Sequence, residues 1–270
     1  MRILILGGTG EASALARLVA QRPNLDTILS FAGRAKIPDG WPVPTRIGGF
    51  GGIDGLVTFL RNEKIDALID ATHPFAAQMS AHAQAACNET GTPLIVLTRP
   101  AWQPQAGDLW IDVADVHAAA MALGAPMRRV FLTVGRLHVA AFEAAPQHHY
   151  LLRSIEAPEP LLRLPHLTFI AGRGPFDVAA ERALMRDEKI EILVTKNSGA
   201  PATYAKILAA RELGLPVVMI ARPKAADVPA VFDPAEALAW IDRVGAALLP
   251  LAGEGGPTQS GRMRVGCRFG

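Results

Sequence analysis

The residues best suited to chemistry stand where apolar runs stop. Ile3, Leu4, Ile5 and Leu6 form an uncharged run, and Gly7, Gly8, Thr9, Gly10 and Glu11 follow at once. Glycines let a backbone turn sharply and approach a pyrophosphate, because no Cβ stands in the way. Ala12, Ala14, Leu15, Ala16 and Leu18 then carry a helical pattern. The helix they imply points unpaired N–H groups and a positive dipole end at an anion. Gly8 and Gly10 occupy the first two positions of G-x-G-x-x-G, and Ser13 stands at the third. A plain tight turn is the competing reading. Strand, glycine turn and helix in that order favour a dinucleotide site at Gly8, Thr9, Gly10 and Glu11.

A second set follows residues 26–31 (DTILSF), which read as the next strand. The end of this strand meets the adenosine ribose in a dinucleotide fold, where an Asp or Glu would repel a 2′-phosphate. This chain offers Ser30, Gly33, Arg34 and Lys36 instead. An arginine fork pairs with phosphate through two hydrogen bonds, so the local charge favours NADP over NAD. Residues 48–52 (GGFGG) make a second glycine turn ahead of a helix at 53–61. Residues 67–70 (ALID) read as a strand ending at Asp70, Thr72 and His73, with Pro74 in the first turn of a helix at 76–86. Ligands of open parallel sheets sit at such strand ends.

In the later half, one strand after another ends at a cation: Arg136, Arg153, Arg173, Lys196 and Arg222. Parallel neighbouring strands would bring most of these to one sheet edge. Clustered like charges repel unless an anion joins them, so the pattern calls for a polyanionic ligand. Glycines beside them (Gly135, Gly172, Gly174 and Gly199) would admit that ligand to the backbone.

The elements that must position these groups alternate between apolar strand and amphipathic helix over most of the chain. That rhythm predicts an α/β protein with right-handed crossovers and parallel sheets. Residues 124–126 (GAP) are the best linker, so the expected division is 1–125 for a dinucleotide domain, 126–250 for a substrate domain and 251–270 for a flexible, non-catalytic tail. The fold class expected is two Rossmann-like domains with the active site in the cleft between them. The chain has 270 residues, half of them hydrophobic, which is ample for such cores. Its net charge of +2 argues against a general nucleic-acid binder. There is no apolar run of ~18 residues for a membrane span and no leader pattern at the N-terminus. Two cysteines, Cys87 and Cys267, make neither a disulfide framework nor a metal site. The expectation is a cytoplasmic, metal-free protein and a monomer. No P-loop, H-E-x-x-H or C-x-x-C is present.

These motifs together resemble the precorrin-6A reductase family of cobalamin biosynthesis. The resemblance rests on ILILGGTGEA (3–12), AGR (32–34), GGFGG (48–52), IDATHPFA (69–76), RPAW (99–102), RGPF (173–176), VTKNSG (194–199) and RPK (222–224). It runs in order from about residue 3 to 224 and leaves out the tail. DATHPFA with VTKNSG is the specific part. Ala200 departs from a glycine common in the family after VTKNSG. The resemblance implies an NADPH-dependent reduction of one double bond in the precorrin-6A macrocycle, a tetrapyrrole bearing acetate and propionate carboxylates, to give precorrin-6B. By that resemblance Gly8 and Gly10 face the pyrophosphate, Arg34 with Ser30 holds the 2′-phosphate, and Thr72 and His73 lie near the nicotinamide. Arg136, Arg173 and Lys196 pair with carboxylates, and Ser198, between Asn197 and Gly199, adds a hydrogen bond. His73 and Lys196 are the candidate proton donors. A cobalt-precorrin-6A reductase would use the same motifs. An NADPH-binding redox sensor is the non-enzyme alternative, and it would not need the convergent cations.

Overall fold

A computed structural model describes residues 1–32, 40–158, 163–224 and 227–248. The candidate residues Gly33, Arg34 and Lys36 and the tail 251–270 lie outside the described residues. The first strand, β1 (Arg2–Leu6), alternates between two packing layers. Ile3 and Ile5 enter one buried cluster with Leu15 and Ala16, while Leu4 and Leu6 enter another with Leu56 and Leu60. A strand so covered must be apolar throughout, which explains the uncharged run. The helix α1 (Gly10–Val19) starts at Thr9, whose Oγ1 accepts from the Ala12 N–H at 3.1 Å. The chain continues through β2 (Asp26–Phe31), β3 (Thr45–Ile47), α2 (Gly52–Asn62), β4 (Ala67–Asp70), α3 (Ala77–Thr90) and β5 (Leu94–Leu97). Pro74 sits in a turn ahead of α3 and not inside its first turn.

The second half runs through β6 (Leu109–Val113), α4 (Val116–Ala122), β7 (Arg129–Thr133), β8 (His149–Ser154) and β9 (Leu167–Ala171). It continues with α5 (Val178–Asp187), β10 (Ile192–Lys196), α6 (Ala205–Glu212), β11 (Pro216–Ile220), β12 (Ala230–Val231) and α7 (Pro234–Leu248). Two six-stranded sheets result, in the orders β12-β5-β4-β1-β2-β3 and β6-β11-β10-β7-β8-β9. Their strand pairings are parallel. Helices cover both faces of each sheet, as buried parallel strands require.

The expected divide after residue 125 does not follow the sheets. β6 lies before it but pairs with β11 of the second sheet, and β12 lies after it but pairs with β5 of the first. α7 returns too, burying Ala237 and Ile241 against the first sheet. Each sheet thus takes its sixth strand from the chain segment next to the other. Parallel pairing is non-local, so nothing in the pattern of β6 or β12 announces which sheet it joins. Both sheets reverse their strand order at the centre, between β1 and β4 in one and between β7 and β10 in the other. Ligands bind in the crevice outside the carboxyl ends of strands at such switch points. Among the described residues, no helix is long and apolar enough to cross a membrane.

Candidate active site

The two switch points open onto one cleft of about 620 Å³. From the first sheet come Gly8, Thr9, Gly10, His73, Phe75 and Arg99. From the second come Arg136, His138, Arg153, Arg173, Lys196, Ser198 and Lys206. The glycine turn and most of the later cations therefore face each other, as the sequence predicts.

On the first wall, the Thr9 hydroxyl donates to the Ala71 carbonyl at 2.8 Å, tying the turn after β1 to the end of β4. Gly8 has φ +121°, and a Cβ there or at Gly10 would meet no atom within 4 Å. The backbone of the turn is thus open to an approaching group, and α1 lies behind it with its N-terminus forward. This geometry suits a dinucleotide pyrophosphate. Glu11 would repel such an anion, but its carboxylate is ion-paired to Arg99. Glu11, a cofactor contact by the sequence reading, is held here by Arg99.

At the end of β2, the Ser30 hydroxyl accepts from an Arg46 Nη at 2.9 Å. The same guanidinium donates to the Gly48 and Gly49 carbonyls and lies 3.9 Å over the Phe50 ring. Arg46 was not among the sequence candidates, although it stands opposite Ser30 in the β2–β3 register. It clamps the second glycine turn at the edge where a ribose would lie.

Thr72 donates to Asp70 through both its N–H and its hydroxyl, at 3.0 and 2.7 Å. It serves the turn, and the buried Asp70 serves it. His73 Nδ1 accepts from the Phe75 N–H at 3.2 Å, which leaves the proton on Nε2. Burial, with Arg99, Lys196, Arg222 and Lys206 around it, pushes the His73 pKa down to about 3. At neutral pH His73, one of the two candidate proton donors, is an uncharged imidazole offering an N–H.

On the second wall, Lys196 Nζ lies 2.8 Å from His138 Nδ1 and 5.2 Å from the centre of the Phe75 ring. Burial lowers the Lys196 pKa to about 8. Burial and Lys196 together lower His138 to about 4. The pair therefore consists of an ammonium donating to a neutral imidazole. His138 was missed, though it stands two residues past Arg136 in the turn after β7.

The other cations divide by role. Arg173 is exposed at the cleft and has no acidic partner among the described residues. Arg136 pairs with Glu156 at 2.9 Å. Arg153 is buried against both oxygens of Glu181 and stacks 3.7 Å from the Phe176 ring. Arg222 donates to the carbonyls of Asn197, Arg99, Pro100 and Ser198 at 2.7–3.1 Å. It braces two loops and is not at the disposal of a ligand.

Asn197 and Gly199 are structural as well. The Asn197 amide accepts from the Trp102 N–H at 2.8 Å and donates to the Trp102 carbonyl at 2.9 Å. A Cβ on Gly199 would lie 2.1 Å from the Pro100 oxygen, so this glycine makes room for protein and not for ligand. Ser198 lines the cleft, while its carbonyl accepts from Arg99 Nε at 2.7 Å. Ala200 has φ −76°, an ordinary value that needs no glycine. Among the described residues, no three His, Cys, Asp or Glu side chains gather as a metal site.

A family model described as precorrin-6x reductase CbiJ/CobK matches residues 2–242. The precorrin-6A reductase of Sinorhizobium sp is 52% identical over 237 residues, covering 88% of this chain and 91% of that protein. The cobalt-precorrin-6A reductase of Priestia megaterium is 32% identical over 82% of this chain and 91% of its own length. A solved structure of CobK precorrin-6A reductase matches with TM-score 0.85 and 47% identity, covering 91% of this chain and 97% of that one.

Proposed function

The chain belongs to the precorrin-6x reductase family CbiJ/CobK, and from that premise we propose that its cleft reduces one double bond of precorrin-6A with NADPH. Reduction of precorrin-6A in cobalamin biosynthesis, an oxidoreductase step on a CH–CH bond, is the activity of this family member. The choice of NADPH and the role of each residue are inferred from chemistry. One observation carries the reading: an open glycine turn at a helix N-terminus faces a wall of cations across a single cleft.

The N–H groups and dipole of α1 attract a pyrophosphate to Gly8 and Gly10, while Arg99 cancels the opposing charge of Glu11. Arg34, three residues past the end of β2 in sequence, is the residue we assign to a 2′-phosphate on its charge alone, and the Ser30–Arg46 hydrogen bond marks the end of β2. Bound NADPH supplies a hydride, and positioning provides much of the rate. A proton completes the reduction. Lys196 is its donor, because Nζ is protonated at neutral pH and His138 orients it from 2.8 Å. His73 lends a neutral N–H to the same space. Arg136 and Arg173 pair with the ring's carboxylates, and the apolar Leu137 and Ile155 beside them suit its face. A redox sensor would have no use for this cationic wall.

Relatives named for the cobalt-containing substrate share less of the sequence than that named for the metal-free one, which supports precorrin-6A itself. A cytoplasmic setting belongs to this reading, since a reduced dinucleotide pool and the free thiol of Cys87 are both kept there. The test mixes protein, precorrin-6A and NADPH and follows the reduced nicotinamide band together with the macrocycle spectrum. Coupled changes are expected, with NADH much poorer. Equal kcat/KM for NADH would reject the phosphate reading. Turnover of the cobalt form alone would reject the metal-free ring.

A further inference from the structure

Among the described residues, Lys206 is a buried cation that makes no hydrogen bond and no salt bridge. It is the second residue of α6 and only 5% exposed, yet it lines the cleft. The Trp102 ring lies 5.7 Å from its Nζ. The acid beside it, Glu181, is already held through both oxygens by Arg153. Two buried cations thus share one buried anion, which leaves a surplus of positive charge under the cleft surface. Burial, with repulsion from Arg153 and Lys196 only partly offset by Glu181, lowers its pKa to about 7. The positive end of α6 disfavours a cation at this position as well. A charge this disfavoured weakens the free protein unless something enters to pair with it.

We propose that Lys206 Nζ, with Arg153 beside it, is the subsite that receives one carboxylate of the tetrapyrrole, neutralising a charge the free protein leaves unpaired. The proposal rests on the reading of the cleft given above and assigns it a specificity-determining residue. A ring whose substituent is a methyl or an ester at that position would leave the ammonium unpaired and would be discriminated against.

The test compares Lys206→Met and Lys206→Arg with the unaltered enzyme in thermal stability, steady-state kinetics and binding of uroporphyrin, a tetrapyrrole with acetate and propionate side chains. Lys206→Met is expected to melt higher, because it removes an uncompensated buried charge. It should also raise KM for precorrin-6A and Kd for uroporphyrin by about tenfold, one charged hydrogen bond's worth, with kcat little changed. Lys206→Arg should recover part of the affinity. A lower melting temperature with unchanged KM and Kd would make Lys206 a structural residue and overturn the proposal. A fall in kcat with KM unmoved would make it a proton donor and overturn it equally. Failure of the unaltered enzyme to reduce precorrin-6A would instead sink the reading of the cleft itself.

Discussion

Arg99 pairs with Glu11 on the first wall of the cleft and reaches across to the second. The carboxylate belongs to the first turn of α1, and the guanidinium reaches on to the Ser198 carbonyl, 2.7 Å away in the loop after β10. One arginine therefore does two jobs. It neutralises the Glu11 carboxylate beside the glycine turn, and it ties the two walls together.

Arg99→Ala is expected to lose both. The Glu11 side chain is only 19% exposed, so removing its partner strands a largely buried charge. Stability should fall by about 3 kcal/mol, the lower end for breaking a buried pair. The Kd for NADPH should rise by at least about tenfold, as helix and carboxylate then act against each other. Calorimetry and fluorescence titration measure the two. The double variant Glu11→Gln/Arg99→Met should recover part of the NADPH affinity. Equal affinity in all three proteins would detach the pair from cofactor binding.

The His73 ring gives stability a pH dependence whose sign is fixed by its lowered pKa. The folded site refuses a proton down to about pH 3, while the unfolded ring accepts one below 6.5. Protons therefore favour the unfolded chain in that window. Stability drops as pH falls from about 6.5 toward 3, with a limiting slope of about 1.4 kcal/mol per pH unit from this residue. Urea unfolding at about pH 6.5 and 5 should show the natural protein losing about 1.5 kcal/mol more than His73→Gln. Parallel losses would mean that the ring is protonated in the folded state.

Much of this could be read from the chain, and the failures share a cause. The buried runs of β1, β4, β7 and β10 announced themselves, and so did the glycine turn, because each rests on local pattern. The strand-end cations were visible too. What the sequence hid was which of them already had partners. Arg222 is consumed by four carbonyls, and Arg153 by an acid on α5, far along the chain. Lys206 carried no signal, since a lysine in an amphipathic helix ordinarily reads as a solvated face. Asn197 and Gly199 lie inside a motif that looked like ligand contact, yet they serve the 99–102 loop packed against them. The crossing of β6 and β12 between sheets was equally silent.

Lys196 and His138 predict an alkaline limit to turnover. If the ammonium gives the proton, activity must fall as pH rises through about 8, where Lys196 loses its charge. His138→Ala removes the acceptor that favours the charged form, so the limb should move to lower pH, with kcat reduced by about tenfold. Lys196→Met should reduce kcat by 10²–10⁴, roughly the range for losing a general acid. A pH profile of kcat for the three enzymes decides it. An unmoved limb in His138→Ala would break the link between the two residues.

The same substitution at two glycines should separate binding from folding. Gly8 and Gly199 both have positive φ, +121° and +72°. A methyl group at Gly8 meets nothing within 4 Å, whereas at Gly199 it would lie 2.1 Å from the Pro100 oxygen and 2.4 Å from an Arg222 nitrogen. Gly8→Ala therefore carries only backbone strain, about 1–3 kcal/mol, and should fold. Its added methyl stands where the pyrophosphate must approach, so NADPH binding should be lost. Gly199→Ala carries the strain and a clash with backbone that Arg222 holds in place. It should be recovered in far lower yield or unfold at a markedly lower temperature. If instead Gly8→Ala bound NADPH normally, the open face of the first turn would not be the phosphate cradle, and the dinucleotide would have to enter elsewhere.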